Sequence, residues 1–312
     1  MKANPVYRKE VKASSRSIRV PMALLGFNGI LVAAALINMY SLLYQVRTTA
    51  EVQYSGLLAM YRIVAAVEFA LLLCVMPAIS SGSISGEKEH RTLDLLLTTQ
   101  MSPRQIVWGK LLSSLGDMFL ILISSFPVIA LVFVYGGVTP QDVITVILCF
   151  VTTALLITGI GLYCSAMFQR TVLSTAVSYA SVVLLIGGTV AANRFALGLS
   201  TMRWNSYMNQ IGSVADQATS GGFQYLLLFN PAVTCYSIIR EQSGARDVLG
   251  EIARWIGIHN EGWITDHWVL VSIAVQLLTA VLLIRGTARW IDPASRKRRL
   301  AAPPFWKNGK KS

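Results

Sequence analysis

Two carboxylates, Glu68 and Asp117, stand inside long apolar runs of this chain. A charge in hydrocarbon is costly and normally faces protein or a water-filled cavity. Each therefore reads either as a cation or proton site or as an interhelical hydrogen-bonding group. Glu68 lies about 16 Å into its run at 1.5 Å per residue, near the bilayer midplane. The remaining candidates for chemistry fail on spacing. Gly109-Lys110 ends like a phosphate-binding loop, but Arg104 fills the place of its first glycine and Leu111 the place of the magnesium-binding hydroxyl. In Gly82-Ser-Ile-Ser-Gly86, Ile84 occupies the position a nucleophile elbow reserves for serine. His90, His259 and His267 form no His-Glu-x-x-His pair. Cys74, Cys149, Cys164 and Cys235 form no Cys-x-x-Cys pair, and three of the four lie in apolar runs, as small core hydrophobes do. No catalytic residue, metal site or cofactor is expected, and the chain itself should not hydrolyse ATP.

The densest charge lies between two apolar runs, at Glu87, Lys88, Glu89, His90, Arg91, Thr92 and Asp94. Gly82, Ser83, Ser85 and Gly86 should interrupt the preceding span and turn the chain. A new helix over 85–100 would then carry Glu87 and Glu89 in its first turn, where acids oppose the positive dipole end. Leu93, Leu96 and Leu97 would give it an apolar face. Ser102-Pro-Arg-Gln105 has the form of a capping box with proline at the first helical position, and it starts the next span. A simple turn would suffice to join two spans. A charged helix there suits a soluble partner that must grip the membrane part and move it.

Composition sets the class. Of 312 residues, 54% are hydrophobic and 13% charged, and mean hydropathy is +0.55. Soluble domains carry about a quarter charged residues, so the expected fold is an all-α membrane protein. Six apolar runs are long enough to span, near 20–44, 57–80, 106–135, 143–168, 171–192 and 268–284. An even number puts both termini on one side. The net charge of +12 is concentrated on that side. Six Lys/Arg lie in the N-terminal tail, four follow span two, Arg170 follows span four, and nine lie from Arg285 onward, giving 20 of 27. That side is cytoplasmic by the positive-inside rule, and the same distribution argues against nucleic acid as a partner.

Residues 1–19 are too polar to span and read as a basic amphipathic helix on the inner membrane surface. Transmembrane helices 1–5 fall within 20–192. The stretch 193–266 is too long for an ordinary loop and is expected outside, as short helices on or partly in the outer membrane face. Asn230-Pro231 should start one of them, and Val248, Leu249, Ile252, Trp255 and Ile256 form an amphipathic stripe. A sixth span over 267–285 precedes a basic cytoplasmic tail, 286–312. In span five, Ser174, Ser178 and Ser181 share one face, with Thr171 one turn earlier. Small residues allow close helix packing, so that face serves either a subunit interface or a pathway lining.

Gly86-Glu-Lys-Glu-x-x-Thr-Leu-Asp-Leu-Leu-Leu97 followed by Ser102-Pro-x-x-Ile-Val-x-Gly-Lys110 resembles the signature between spans two and three of ABC-2 type transporter permeases. One position departs: Arg91 stands where that family usually has glycine. The resemblance implies a type V exporter-like fold, with an N-terminal connecting helix, a cytoplasmic coupling helix between spans two and three, and re-entrant outer helices before the last span. It implies two copies of a separate ABC ATP-binding subunit, a second permease copy or paralogue, and surrounding membrane lipids as partners. On that reading the protein resides in a bacterial cell membrane. Residues Glu87 to Thr92 and Asp94 would contact the ATPase, and Glu68, Ser174, Ser178 and Ser181 would be candidates for the translocation path. The rival reading is a membrane-embedded scaffold or receptor that recruits a cytosolic partner without transport.

Overall fold

The computed structural model describes residues 6, 7, 10, 12, 18–49, 54–93, 102–135, 139–211, 219–242 and 263–292. Among them every regular element is helical. The long helices are α1 (Arg19–Thr49), α2 (Tyr54–Glu89), α3 (Pro103–Tyr135) and α4 (Pro140–Met167). Then α5 (Thr171–Val183) passes through a π turn, Leu184–Gly188, directly into α6 (Thr189–Ile211). A 3₁₀ segment, Gly221–Phe229, precedes α7 (Pro231–Gln242), α8 (Trp263–Asp266) and α9 (Trp268–Ile291). Among the described residues six segments are long and apolar enough to cross a membrane, with α5, the π turn and α6 together supplying the fifth.

The most deeply packed span is α4. It opens with a capping box that is reciprocal: Thr139 N–H donates to Asp142 Oδ2 at 2.8 Å, and Asp142 N–H donates to Thr139 Oγ1 at 3.3 Å. Its apolar side carries Phe150, Ala154 and Ile157 into a core shared with Leu31, Val64, Phe69, Met76 and Met118. Two spans contain internal prolines, Pro77 in α2 and Pro127 in α3. Each costs a backbone hydrogen bond, tolerable in a membrane when nearby groups re-satisfy the helix. Beside Pro127, the Ser124 and Ser125 hydroxyls donate to the Ile121 and Leu122 carbonyls. Near Pro77, Tyr179 of α5 donates to the Cys74 carbonyl.

The expected break at Gly82–Gly86 does not occur. Helix α2 runs through it to Glu89, so Glu87 and Glu89 close this helix instead of opening another. The small residues serve packing. Ser80, Ser81 and Ser85 are fully buried. The Ser165 hydroxyl of α4 accepts from the backbone N–H of Ile84 at 2.9 Å and of Ser85 at 2.7 Å. On the other flank, Ser174 of α5 donates to the Ser81 carbonyl, and Thr175 pairs with the Ser81 hydroxyl, both at 2.8 Å. A run of Gly and Ser has two physical uses, turning a chain or letting three helices approach closely, and here it is the second. Of the expected coupling helix, 85–89 belong to α2 and 94–100 lie outside the described residues.

The fifth span also exceeds its expected end at 192, since helix continues to Ile211. A five-residue π turn carries it past Gly187 and Gly188, and Asn193 is buried rather than the start of a loop. Asn230 secures the bulge. Its Nδ2 donates to the Ile186 carbonyl at 2.9 Å and to Thr189 Oγ1 at 2.8 Å, while its Oδ1 accepts from Ala232 N–H at 2.9 Å. It thus caps α7 as expected and holds the π turn as well. Helix α7 is pinned to α9 by buried Thr234, Ser272 and Gln276. The last span reaches Ile291 rather than ending at 285. Most of 1–19, the stripe 248–256 and the tail 293–312 lie outside the described residues.

The α2–α4 approach makes a direct test. A Cβ on Gly161 would stand 1.9 Å from Ser80 Oγ and 2.8 Å from Ser80 Cβ. Gly161→Ala should destabilise the detergent-purified protein by about 1–3 kcal/mol, as overpacking does. Adding Ser80→Gly should recover part of that loss. Thermal unfolding of the two variants measures both.

Candidate coupling site

At one end of the bundle three consecutive residues of α2 reach three different helices. Glu87 Oε1 lies 3.1 Å from Nζ of Lys110 on α3. Lys88 Nζ donates to the carbonyls of Ser165 at 3.3 Å, of Ala166, and of Phe168 at 3.5 Å, at the end of α4. Glu89 Oε2 accepts from the Thr171 backbone N–H at 3.1 Å and from its hydroxyl at 2.8 Å, at the start of α5.

Helix electrostatics explain the order of signs. The last carbonyls of α4 lack intrahelical donors and form the negative dipole end, which an ammonium satisfies. The first N–H groups of α5 are the positive end, which a carboxylate satisfies. Arg170, the N-cap of α5, makes no side-chain cap, and Glu89 supplies it from another helix. The α4–α5 turn is therefore gripped on both sides by two adjacent residues of α2.

Lys110 is the anchor. Its side chain is 1% exposed, and it meets Glu87, Glu10 Oε1 at 3.0 Å and the Ser83 carbonyl at 2.7 Å. The neighbouring Val107 and Leu111 of α3 belong to an apolar cluster with Ile84, Leu93, and Ile284 and Ile291 of α9. An ammonium removed from water is tolerated when partners replace its hydration. Here the partners come from the N-terminal segment and α2, so one charge joins both to α3. This residue was missed as a site from sequence. Its legible signals were a lysine about one turn into an apolar run and its place at the end of the family signature.

Beyond the clasp the chain leaves α2 through a Schellman motif. Thr92 N–H donates to the Glu87 carbonyl at 2.8 Å and Arg91 N–H to the Lys88 carbonyl at 3.1 Å. Arg91 takes the left-handed conformation, φ 57°, which only glycine adopts without a Cβ penalty. The expected family glycine falls on this position, so its departure to Arg91 is a departure at a strained backbone site. Ser102 and Gln105 make the expected reciprocal box, at 3.1 and 3.3 Å, and restart the chain as α3. Glu89, His90, Arg91 and Thr92 are exposed at the tip. Asp94 lies outside the described residues.

A sequence profile described as ABC-2 family transporter protein matches residues 4–289. The chain belongs to this family. No curated protein matches it. As an ABC-2 protein with six apolar spans it is a multi-pass membrane permease of an ABC transporter, the component that is not itself the ATPase.

The candidate pathway residues of this permease fall in two places. Glu68 is 1% exposed and accepts from Ser125 Oγ at 2.5 Å. It borders a cavity of about 460 Å³ between α2, α3 and α4, walled by Tyr61, Val64, Phe119, Ile123 and Phe150. Ser174 and Ser178 are fully buried on the side of α5 that packs on α2, and the Ser181 hydroxyl donates back to the Val177 carbonyl. Among the described residues no cluster of His, Cys, Asp and Glu suits a metal ion.

Removing one member of a buried ion pair typically costs about 3–5 kcal/mol, more than removing both. Lys110→Met should therefore lower unfolding stability by about that amount. Lys110→Met combined with Glu87→Leu should be more stable than Lys110→Met alone. Equal stability of the single and double variants would mean that the pair is not coupled.

Proposed function

We propose that this permease is the membrane subunit of an exporter, and that the tip Glu89–Thr92 is where a separate ATP-binding subunit pushes. The observation that carries this reading is the clasp. Glu87, Lys88 and Glu89 tie α2 to α3, α4 and α5 within one helical turn. A load applied at the exposed tip is thereby shared by four spans at once, as rigid-body coupling requires. The tip also lies on the side richest in Lys/Arg, the cytoplasmic side by the positive-inside rule, where ATP is available.

On this reading two ATP-binding subunits serve a pair of permeases, this chain with a second copy or a paralogue. Closure of the ATPase pair drives alternating access. The residues divide their roles. His90, Arg91, Thr92 and Asp94 meet the partner, and Glu89 both meets it and caps α5. Glu87 and Lys88 act behind them as positioning residues. Glu68 borders the cavity between α2, α3 and α4 and accepts a hydrogen bond from Ser125 of α3. Ser174 holds α5 against α2 through the Ser81 carbonyl so that both move together, with buried Ser178 one turn further along the same face.

The test is a complex reconstituted in liposomes with its ATP-binding subunit. His90→Glu with Arg91→Glu changes only exposed charge at the tip. It should cut ATP hydrolysis by the complex at least tenfold, or release the ATP-binding subunit, with unfolding temperature unchanged. Full hydrolysis and transport by that variant would place the contact elsewhere. Hydrolysis that moves no substrate in the unmodified complex would favour the scaffold reading.

A further inference from the structure

We propose that the groove between the start of α3 and the end of α9 binds the phosphate headgroup of an anionic phospholipid, with the acyl chains running along α9 toward the bilayer. The groove encloses about 870 Å³, within the ~300–1,000 Å³ range of pockets that bury most of a ligand. Its rim carries three guanidinium groups, Arg104 of α3 with Arg285 and Arg289 of α9, against the single carboxylate of Asp292. Arg289 and Asp292 have other interactions. Arg104 and Arg285 make no hydrogen bond or ion pair with the described residues, and both are exposed. Planar guanidinium forks match phosphate oxygens in bidentate fashion. The first turn of α3 adds the positive end of a 33-residue helix beside Arg104.

The rest of the groove selects a lipid over a free anion. Val281, Ile284 and Ala288 recur along one face of α9 at helical spacing and make an apolar wall. Val281 lies about 6 Å further into the span than Arg285 at 1.5 Å per residue, so the wall leads from the charged rim toward hydrocarbon. Trp108, 55% exposed, stands beside Arg104. Its amphipathic ring belongs at the level of the headgroups. Basic pockets between membrane helices on the cytoplasmic side suit anionic headgroups. A zwitterionic headgroup would bring its own cation against a second arginine. Inorganic phosphate would leave the apolar wall unused. The site is independent of the ATPase reading, since it needs only that α3 and α9 span the membrane.

The experiment is native mass spectrometry of the full-length permease titrated with phosphatidylglycerol or with phosphatidylcholine of the same chains. The unmodified protein should retain phosphatidylglycerol preferentially. Arg104→Gln with Arg285→Gln should reduce that preference by about fivefold per arginine, and the matching Lys pair, which keeps the charge but loses the fork, should lose less. Val281→Trp, which leaves every charge in place, should also reduce retention. Millimolar inorganic phosphate should not displace the lipid. Equal retention of the two lipids by the unmodified protein, an undiminished preference in the Gln pair or in Val281→Trp, or displacement by phosphate would each overturn the proposal.

Discussion

A buried ammonium must be surrounded by oxygen, and in this permease that requirement organises the end of the bundle where α2 closes and α3 begins. Lys110 finds its oxygens on Glu87, Glu10 and the Ser83 carbonyl. Those groups come from a segment about a hundred residues away in sequence and from the preceding span. Fixing Glu87 fixes the final turn of α2. The next two side chains are then aimed outward at the carbonyl end of α4 and the N–H end of α5. The sign pattern acid, base, acid is what the three targets demand: an ammonium, a negative helix end and a positive one. Exchanging Lys88 with either neighbour would set two of the three against their own sign.

The clasp works only because the helices are already close. Small residues set that closeness. Gly161 lets α4 meet α2 at Ser80, Ser165 of α4 accepts from the Ile84 and Ser85 N–H groups along the same seam, and Ser174 of α5 donates to the Ser81 carbonyl on the other flank of α2. In hydrocarbon there is no hydrophobic drive between helices, so close packing and buried hydroxyl bonds carry association. The seam leads directly into the clasp, so α2 is held along its C-terminal half and again at its end. An element restrained in this way moves with its neighbours rather than fraying from them.

Much of the architecture was legible in the sequence. Six apolar runs gave six spans, and the caps at Ser102 and Asn230 sit where their residue types placed them. What was illegible came from ambiguity in local chemistry. Gly82, Ser83, Ser85 and Gly86 have the composition of a turn, and only the approach of α4 and α5 makes that stretch helical. The fifth span hides its continuation because Asn193 and Arg194 look like a polar boundary, while Asn230, 44 residues from Ile186, supports the π turn from outside the segment. The charged cluster was recognised as special, but its inward role was hidden. Sequence shows that Lys88 and Glu89 are charged, not that helix ends stand within their reach. Lys110 was read as one more cytoplasmic cation, and only packing reveals it as the centre.

The account's central claim is that the end of α2 and the α4–α5 turn form one body through which the tip is driven. Spin labels at Ala78 of α2 and Gln169 of the α4–α5 turn, both exposed and neither at the proposed ATPase contact, measure this by double electron–electron resonance in the complex with its ATP-binding subunit. The distance should keep the same mean and width in the nucleotide-free and ATP-bound states. A shift or a broadening on ATP binding would contradict the account, because it would show the clasp opening under load.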